Sequence, residues 1–182
     1  TKIKTTTTKL FSENFTNDYK SKISVTCFTD DPLNILMWSH YAKNHTGFII
    51  EFKIPKTYKQ LNSPKDFSLP FPVTYTDNYP KVIFNWKLDD ESMNNPDYQS
   101  DLLAKMVLTK SKCWSYENEF RSIIFNINPD ESIILRPYDP QIISSVIAGS
   151  KISKVHLGEL QKSINDFNST HGTNVKIYHA KM

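Results

Sequence analysis

Between Ser153 and Phe167 the apolar residues Leu157, Leu160, Ile164 and Phe167 recur at spacings of three and four, the period of one helical face. This stretch constrains the fold more than any other, because strand patterns flank the predicted helix on both sides. Gln141–Ile147 reads as a strand closed by Gly149, and Gly172 releases a last strand over Asn174–His179. Earlier in the chain, Ile23–Phe28 alternates apolar and small residues and reads as a strand, and Phe48–Phe52 reads as a buried strand. Trp114–Ile127 reads as a turn followed by a long strand. Asp31-Pro32 and Asn95-Pro96 each combine a capping side chain with a proline, the signal for a helix start. The first predicted helix carries Leu33, Leu36, Met37, His40 and Tyr41 on one face, and Gly47 is expected to end it in a left-handed cap or turn. The second presents Leu102, Leu103, Met106 and Val107. Lys53 to Tyr79, rich in Pro, Ser and Asp, reads as a surface excursion with one short strand candidate at Pro72–Tyr75, and the residues through about Thr8 as a frayed end or an exposed edge strand. Strands mixed with separate helices predict an α+β fold, a single domain over residues 1–182 with mixed or antiparallel sheets and flanking helices.

Composition narrows the function classes. A length of 182 residues suits one ordinary domain, and an aromatic content of 13% can fill its core despite the polar remainder. The net charge of +3 comes from lysines spread along the chain with only two arginines, Arg121 and Arg136, so it permits an anionic ligand without marking a nucleic-acid binder. Cys27 and Cys113, far apart in sequence, read as free thiols and small core residues in a reducing, cytoplasmic setting. No apolar run has the length of a membrane span. The four glycines form no phosphate loop, and there is no nucleophile elbow, no Cys-x-x-Cys and no His-Glu-x-x-His.

Two segments concentrate chemistry, and the site is expected where Met37–Gly47 meets Trp114–Arg121. Met37–Gly47 holds Trp38, His40, Tyr41 and His45, which could stack a flat ring and hydrogen-bond a sugar or phosphate. Alternatively Trp38 and Tyr41 belong to the core and His45 caps the helix end. His40 and His45 are five apart rather than four, so no helical two-histidine metal site is predicted. The second segment, Lys110–Arg121, includes Lys112, Trp114, Glu117, Glu119 and Arg121. If the strand begins at Glu117, then Glu117, Glu119 and Arg121 share one face. Paired carboxylates beside a guanidinium can hold a ribose hydroxyl and stabilise a developing cation at an anomeric carbon. The plainer alternative is a solvated strand face with an intra-strand ion pair. A nuclease would need a metal-binding carboxylate cluster, for which Asp30 and Asp31 with Glu117 and Glu119 lack a spacing signature.

Cys27-Phe28-Thr29, Asn34–Ala42, His45–Phe48, Lys112 with Trp114–Arg121, and the Ile142–Gly149 ending before the Ser153 helix together resemble a bacterial, defence-associated family, domain-of-unknown-function family 2971. Members usually begin with a Tyr-Lys-Tyr-Arg-like strand and an Asn-Asp-Pro turn, neither of which is found here, so the chain is expected to lack that N-terminal portion or to receive it from a partner protein. A second resemblance, to DarT-like ADP-ribosyltransferases, rests on the order Cys27-Phe28, Leu36-Met37-Trp38 and Glu119-Phe120, with Glu117-x-Glu119 similar to the paired glutamates of arginine-modifying members. That likeness implies a split sheet and NAD as substrate, with Glu119 acting at the nicotinamide ribose and Glu117 on a protein or nucleic-acid acceptor. Trp38, His40, Tyr41, His45, Lys112, Trp114 and Arg121 would supply binding contacts. The other class implied is a non-enzymatic ligand- or protein-binding sensor module of an anti-phage system.

Overall fold

A computed structural model describes residues 23–53, 69–78, 105–125 and 138–181, with only the backbone of Ile124 and Phe125 included. The fold is α+β. The chain divides into two compact units, each built from two separate segments: Thr1–Asp30 with Ser68–Leu135, and Asp31–Phe67 with Arg136–Met182. No helix of the described residues is long and apolar enough to cross a membrane. The expected N-terminal strand or frayed end, most of the surface excursion and the helix behind Asn95-Pro96 (apart from residues 105–107, which are helical) lie outside the described residues.

In the first unit, β1 (Ile23–Thr29) runs antiparallel to β6 (Glu119–Phe125), pairing Thr29 with Glu119 and Cys27 with Arg121. The short β3 (Phe71–Pro72) lies on the other side of β6, Phe71 opposite Arg121. A parallel pair joins β4 (Thr74–Thr76) to β5 (Thr109–Ser111). Buried Val73 links the two sheets: its N–H donates to the Glu119 carbonyl at 2.9 Å, and the next N–H, of Thr74, to the Leu108 carbonyl at 2.7 Å. The strand predicted at Pro72–Tyr75 is therefore split into β3 and β4, because consecutive backbone groups bond to different partners.

The second unit places β7 (Ile143–Ala148) between antiparallel β2 (Phe48–Phe52) and parallel β8 (Lys176–His179). A parallel neighbour requires a crossover, and α2 (Lys154–His171) supplies it. Leu160 of α2, Val146 and Ala148 of β7 and Val175 form the buried cluster, with Leu157, Ile164 and Phe167 packed around it as the periodicity predicts. Ser153 caps the helix by accepting from the His156 N–H at 3.1 Å, and Gly172 at φ 63° closes it in the left-handed conformation. Asn168 ties this end to the incoming strand. Its side chain accepts from the Val175 N–H at 2.8 Å and donates to the Val175 carbonyl at 3.0 Å.

The first helix departs from its predicted form. Asp31 accepts from the Leu33 N–H in a local turn, and Asn34 is the cap of α1 (Ile35–Tyr41), accepting from Leu36 and Met37 N–H. The inward face is Trp38 and Ala42 rather than Leu33, Leu36, Met37, His40 and Tyr41. Trp38 is fixed by its indole N–H, which donates to the Pro32 carbonyl at 2.8 Å, while Leu33, Leu36, His40 and Tyr41 are exposed. The left-handed turn also falls earlier than Gly47. Lys43, Asn44 and His45 have φ of 50°, 54° and 67°, three successive non-glycine residues in that region. Four main-chain bonds close this turn, including Gly47 N–H to Ala42 carbonyl at 2.9 Å and His45 N–H to Trp38 carbonyl at 3.2 Å. Gly149 is required where β7 meets the turn, since a Cβ there would lie 2.1 Å from the His45 carbonyl oxygen. Strand β2 is only half-sheltered, with Phe48 and Ile50 exposed, so the expectation of a buried strand is corrected.

Candidate functional site

The densest polar arrangement of the described residues lies in the first unit, around the start of β6. Residues Lys112–Glu117 form a 3-10 turn, and Asn118 follows at φ 43°. Glu117 therefore sits on the turn and not on the strand, which corrects the expected three-residue strand face. Glu119 and Arg121 do share a face of β6, and Arg121 clamps Glu119 from two residues away. Its Nε donates to Oε1 at 2.7 Å and a terminal nitrogen to Oε2 at 3.0 Å. Another Arg121 nitrogen donates to the Val107 carbonyl. Lys110, from β5, brings Glu117 in: its ammonium donates to Glu117 Oε2 and, at 2.9 Å, to Glu119 Oε2. Thr29 Oγ1 donates to the Glu117 carbonyl at 2.7 Å, and Tyr75 Oη accepts the Glu119 N–H at 2.8 Å.

The plainer expectation of a solvated strand face is also corrected. Glu117 and Glu119 retain only 1% and 5% exposure, whereas the Lys110 and Arg121 side chains retain 21% and 17%. Two anions are buried beneath two cations, which satisfies the demand that a buried charge be paired. Burial opposes ionisation of Glu119, but hydrogen bonds from Arg121, Cys27 and Lys110 override it and bring its pKa down to about 2. Burial likewise opposes the Lys110 charge, and the bonds to Glu117 and Glu119 override it, raising Lys110 to about 12. The Cys27 thiol is pushed up to about 11, by desolvation first and then by its contact with the Glu119 carboxylate. Cys27 and Cys113 are both exposed free thiols, not the core residues expected.

Trp114, 39% exposed, lies beneath Lys110, whose ammonium is 5.2 Å from the ring centroid, and Tyr116 stands 6.0 Å away at a tilt. Lys112 points elsewhere and makes an exposed 3.7 Å pair with Asp77. Glu117, Glu119, Arg121 and Trp114 are thus brought together and Lys112 is not. Lys110, Tyr75 and Cys27 complete the cluster. Lys110 stood in the charge-dense segment, but its role as the bridge depends on the β4–β5 pairing, which no local pattern announces.

The residues of the other segment lie in the second unit. Trp38 and buried His45 stack nearly parallel, 6.2 Å between centroids and 9° between planes, and Ser39 Oγ is 3.2 Å from His45 Nε2. Ser39 already donates to the Ile35 carbonyl at 3.0 Å, so it accepts from His45. This pair locks the turn. His40 and Tyr41 meet edge-on at 6.3 Å and are exposed. The ring contacts here are two separate pairs, one buried and one exposed. Among the described residues, no group of three or more His, Cys, Asp and Glu side chains is arranged to hold a metal ion.

Residues 37–122 match the family described as "Protein of unknown function (DUF2971)". The matched span takes in α1 from Met37 onward, the left-handed turn and the Lys110–Arg121 segment. No curated protein and no solved structure matches the chain.

Proposed function

We propose that the cluster of the first unit is an NAD-directed site of the ADP-ribosyltransferase type, with the split sheet of that type as part of the proposal. The observation that carries the reading is the pair of glutamates at the entry to β6 sharing one ammonium, beside a half-exposed indole. Chemistry at an anomeric carbon calls for a carboxylate that stays ionised, and the hydrogen bonds around Glu119 keep it so. In the reaction, the bond from the nicotinamide ring nitrogen to the ribose anomeric carbon breaks, and nicotinamide leaves with the electron pair. Glu119 holds the ribose hydroxyl and stabilises the positive charge developing on the sugar. An acceptor nucleophile, or water, forms the new bond and gives its proton to Glu117 or solvent.

Binding without turnover, as in a sensor module of a defence system, is favoured by one observation. Arg121 and Lys110 together engage both carboxylate oxygens of Glu119, leaving little for a substrate hydroxyl. Incubating the full chain and its Glu119→Gln variant with NAD, and following nicotinamide release by chromatography, tests both readings. Release that disappears in the variant supports the enzyme. Saturable NAD binding without release supports the sensor, and neither binding nor release removes both.

A further inference from the structure

Around Glu119 the acceptors are engaged while donors are left over. Arg121 holds Oε1, and Arg121 and Lys110 share Oε2. Arg121 uses three of its five N–H donors, on these two oxygens and the Val107 carbonyl, so one N–H remains on each terminal nitrogen. Lys110 uses two of its three, on Glu117 and Glu119. The Tyr75 hydroxyl accepts the Glu119 N–H and donates to no acceptor among the described residues. These three donors stand close together. The Lys110 ammonium and one Arg121 terminal nitrogen lie 2.9 and 3.0 Å from the same oxygen, which holds both within reach of a single phosphate group. Tyr75 is the partner of Lys110 in the β4–β5 pair, so their side chains leave that pair on one face. Solvent reaches the cluster at Lys110, Arg121 and Trp114, with the glutamates buried beneath.

We propose that this outer layer is a phosphate-binding site, in which Lys110, Arg121 and Tyr75 donate to the phosphate oxygens while the glutamates hold the two cations in place from below. The proposal rests on the NAD-directed reading for the source of the phosphate, and deepens it: the part of the dinucleotide taken here is the pyrophosphate. Phosphate oxygens only accept, so they use the remaining donors without disturbing the ion pairs underneath. A cationic head would bring further donors to a Glu119 already engaged at both oxygens. The planar guanidinium suits phosphate geometry, and the ammonium adds a point charge beside it. Two carboxylates offset two cations, so net charge contributes little and selection falls to the donors. Trp114, under Lys110, offers a flat face to a ring carried by the same ligand. In the dinucleotide the nicotinamide ribose is joined directly to the pyrophosphate, so holding the phosphates brings the anomeric carbon to this cluster.

The test titrates the full chain by calorimetry with inorganic pyrophosphate and, separately, with NAD, at constant ionic strength. Wild type should bind pyrophosphate saturably. Tyr75→Phe, which removes one donor and no charge, should weaken that binding at least about threefold. Glu117→Gln, which takes one negative charge from beneath the donors, should tighten it at least about threefold, whereas a site for a cationic group predicts the opposite sign. Absence of saturable pyrophosphate binding, weaker or unchanged binding in Glu117→Gln, or unchanged binding in Tyr75→Phe would overturn the proposal. If Glu117→Gln is unfolded, the Tyr75→Phe comparison decides alone. Pyrophosphate binding with these signs but no NAD binding upholds the phosphate site and removes the NAD reading. NAD binding that both variants leave unchanged does the reverse, so the two failures are distinguishable.

Discussion

Glu119 accepts from Arg121 twice and from Lys110, and this sets how the first unit responds to pH. Its pKa lies at about 2 in the folded chain against an ordinary 4.5, so the stabilisation is complete above 4.5 and is lost as pH falls through 2. Lys110, raised from 10.5 to about 12, has the opposite sign: its contribution is complete below 10.5 and is lost as pH rises through 12. Urea unfolding of wild type and Glu119→Gln across pH 2–5 should show a steep acid branch in the first and a flattened one in the second. Near neutrality the variant should be less stable by about 2 kcal/mol, below the figure for a fully enclosed pair because both cations keep some solvent. Cys27 provides a second check. With its thiol pushed up to about 11, it should alkylate more slowly than Cys113 at pH 8, read by peptide mass spectrometry. Glu119→Gln should speed Cys27 without equalising the two, since desolvation, the larger cause, remains; an unchanged rate would contradict the Cys27–Glu119 contact. The types and spacing of Glu117, Glu119 and Arg121 were legible in the sequence. Their burial was not, because it depends on Lys110 arriving from a strand whose partner is decided by tertiary pairing.

At the scale of elements, legibility followed local physics. The α2 helix was readable because its stripe, Ser153 cap and Gly172 terminator all agree. The left-handed run Lys43–Asn44–His45 was not, since each residue opposes its own intrinsic preference and only the docked surroundings hold it there. For the same reason the glycine that matters is not always the one at a turn. Gly149 has ordinary backbone angles but no room, so Gly149→Ala should lower stability by about 2–4 kcal/mol as the His45 carbonyl and its turn are forced away. Gly158, in α2, has nothing within 4 Å of an added Cβ, and Gly158→Ala should stabilise by about 0.5–1 kcal/mol. Thermal unfolding of the two variants reads both signs. A neutral Gly149→Ala would show that the turn is loosely seated. Asn168 provides a third element-scale test, because its amide meets both backbone groups of Val175. Asn168→Ala should cost about 2 kcal/mol and raise amide exchange in β8 before the rest of its sheet.

At the scale of the whole molecule, each unit is made of two chain segments, and the strand pairs that define them join distant residues. Ile23 pairs with Phe125 in one unit and Phe48 with Ala148 in the other, separations of about a hundred residues. This organisation explains why strand positions could be read from the sequence while partners could not: β1, β2, β6 and β7 each carry a recognisable local pattern, but no local pattern specifies a partner so far along the chain. It also has a kinetic consequence. Loop closure must be completed before either long pairing returns any burial, and the local α2–β8 contacts stabilise only one end of one sheet. Refolding from urea, followed by stopped-flow fluorescence, should therefore proceed on the scale of about milliseconds to seconds or slower. Gly149→Ala, which disturbs the seat of the Phe48–Ala148 end of the pairing, should separate two cases. If that junction forms early, the variant should slow refolding. If it forms late, the variant should instead speed unfolding while refolding keeps its rate. Refolding within microseconds would mean that local contacts dominate the folding barrier, and the long pairings would then be closing steps added to a nucleus already built around α2.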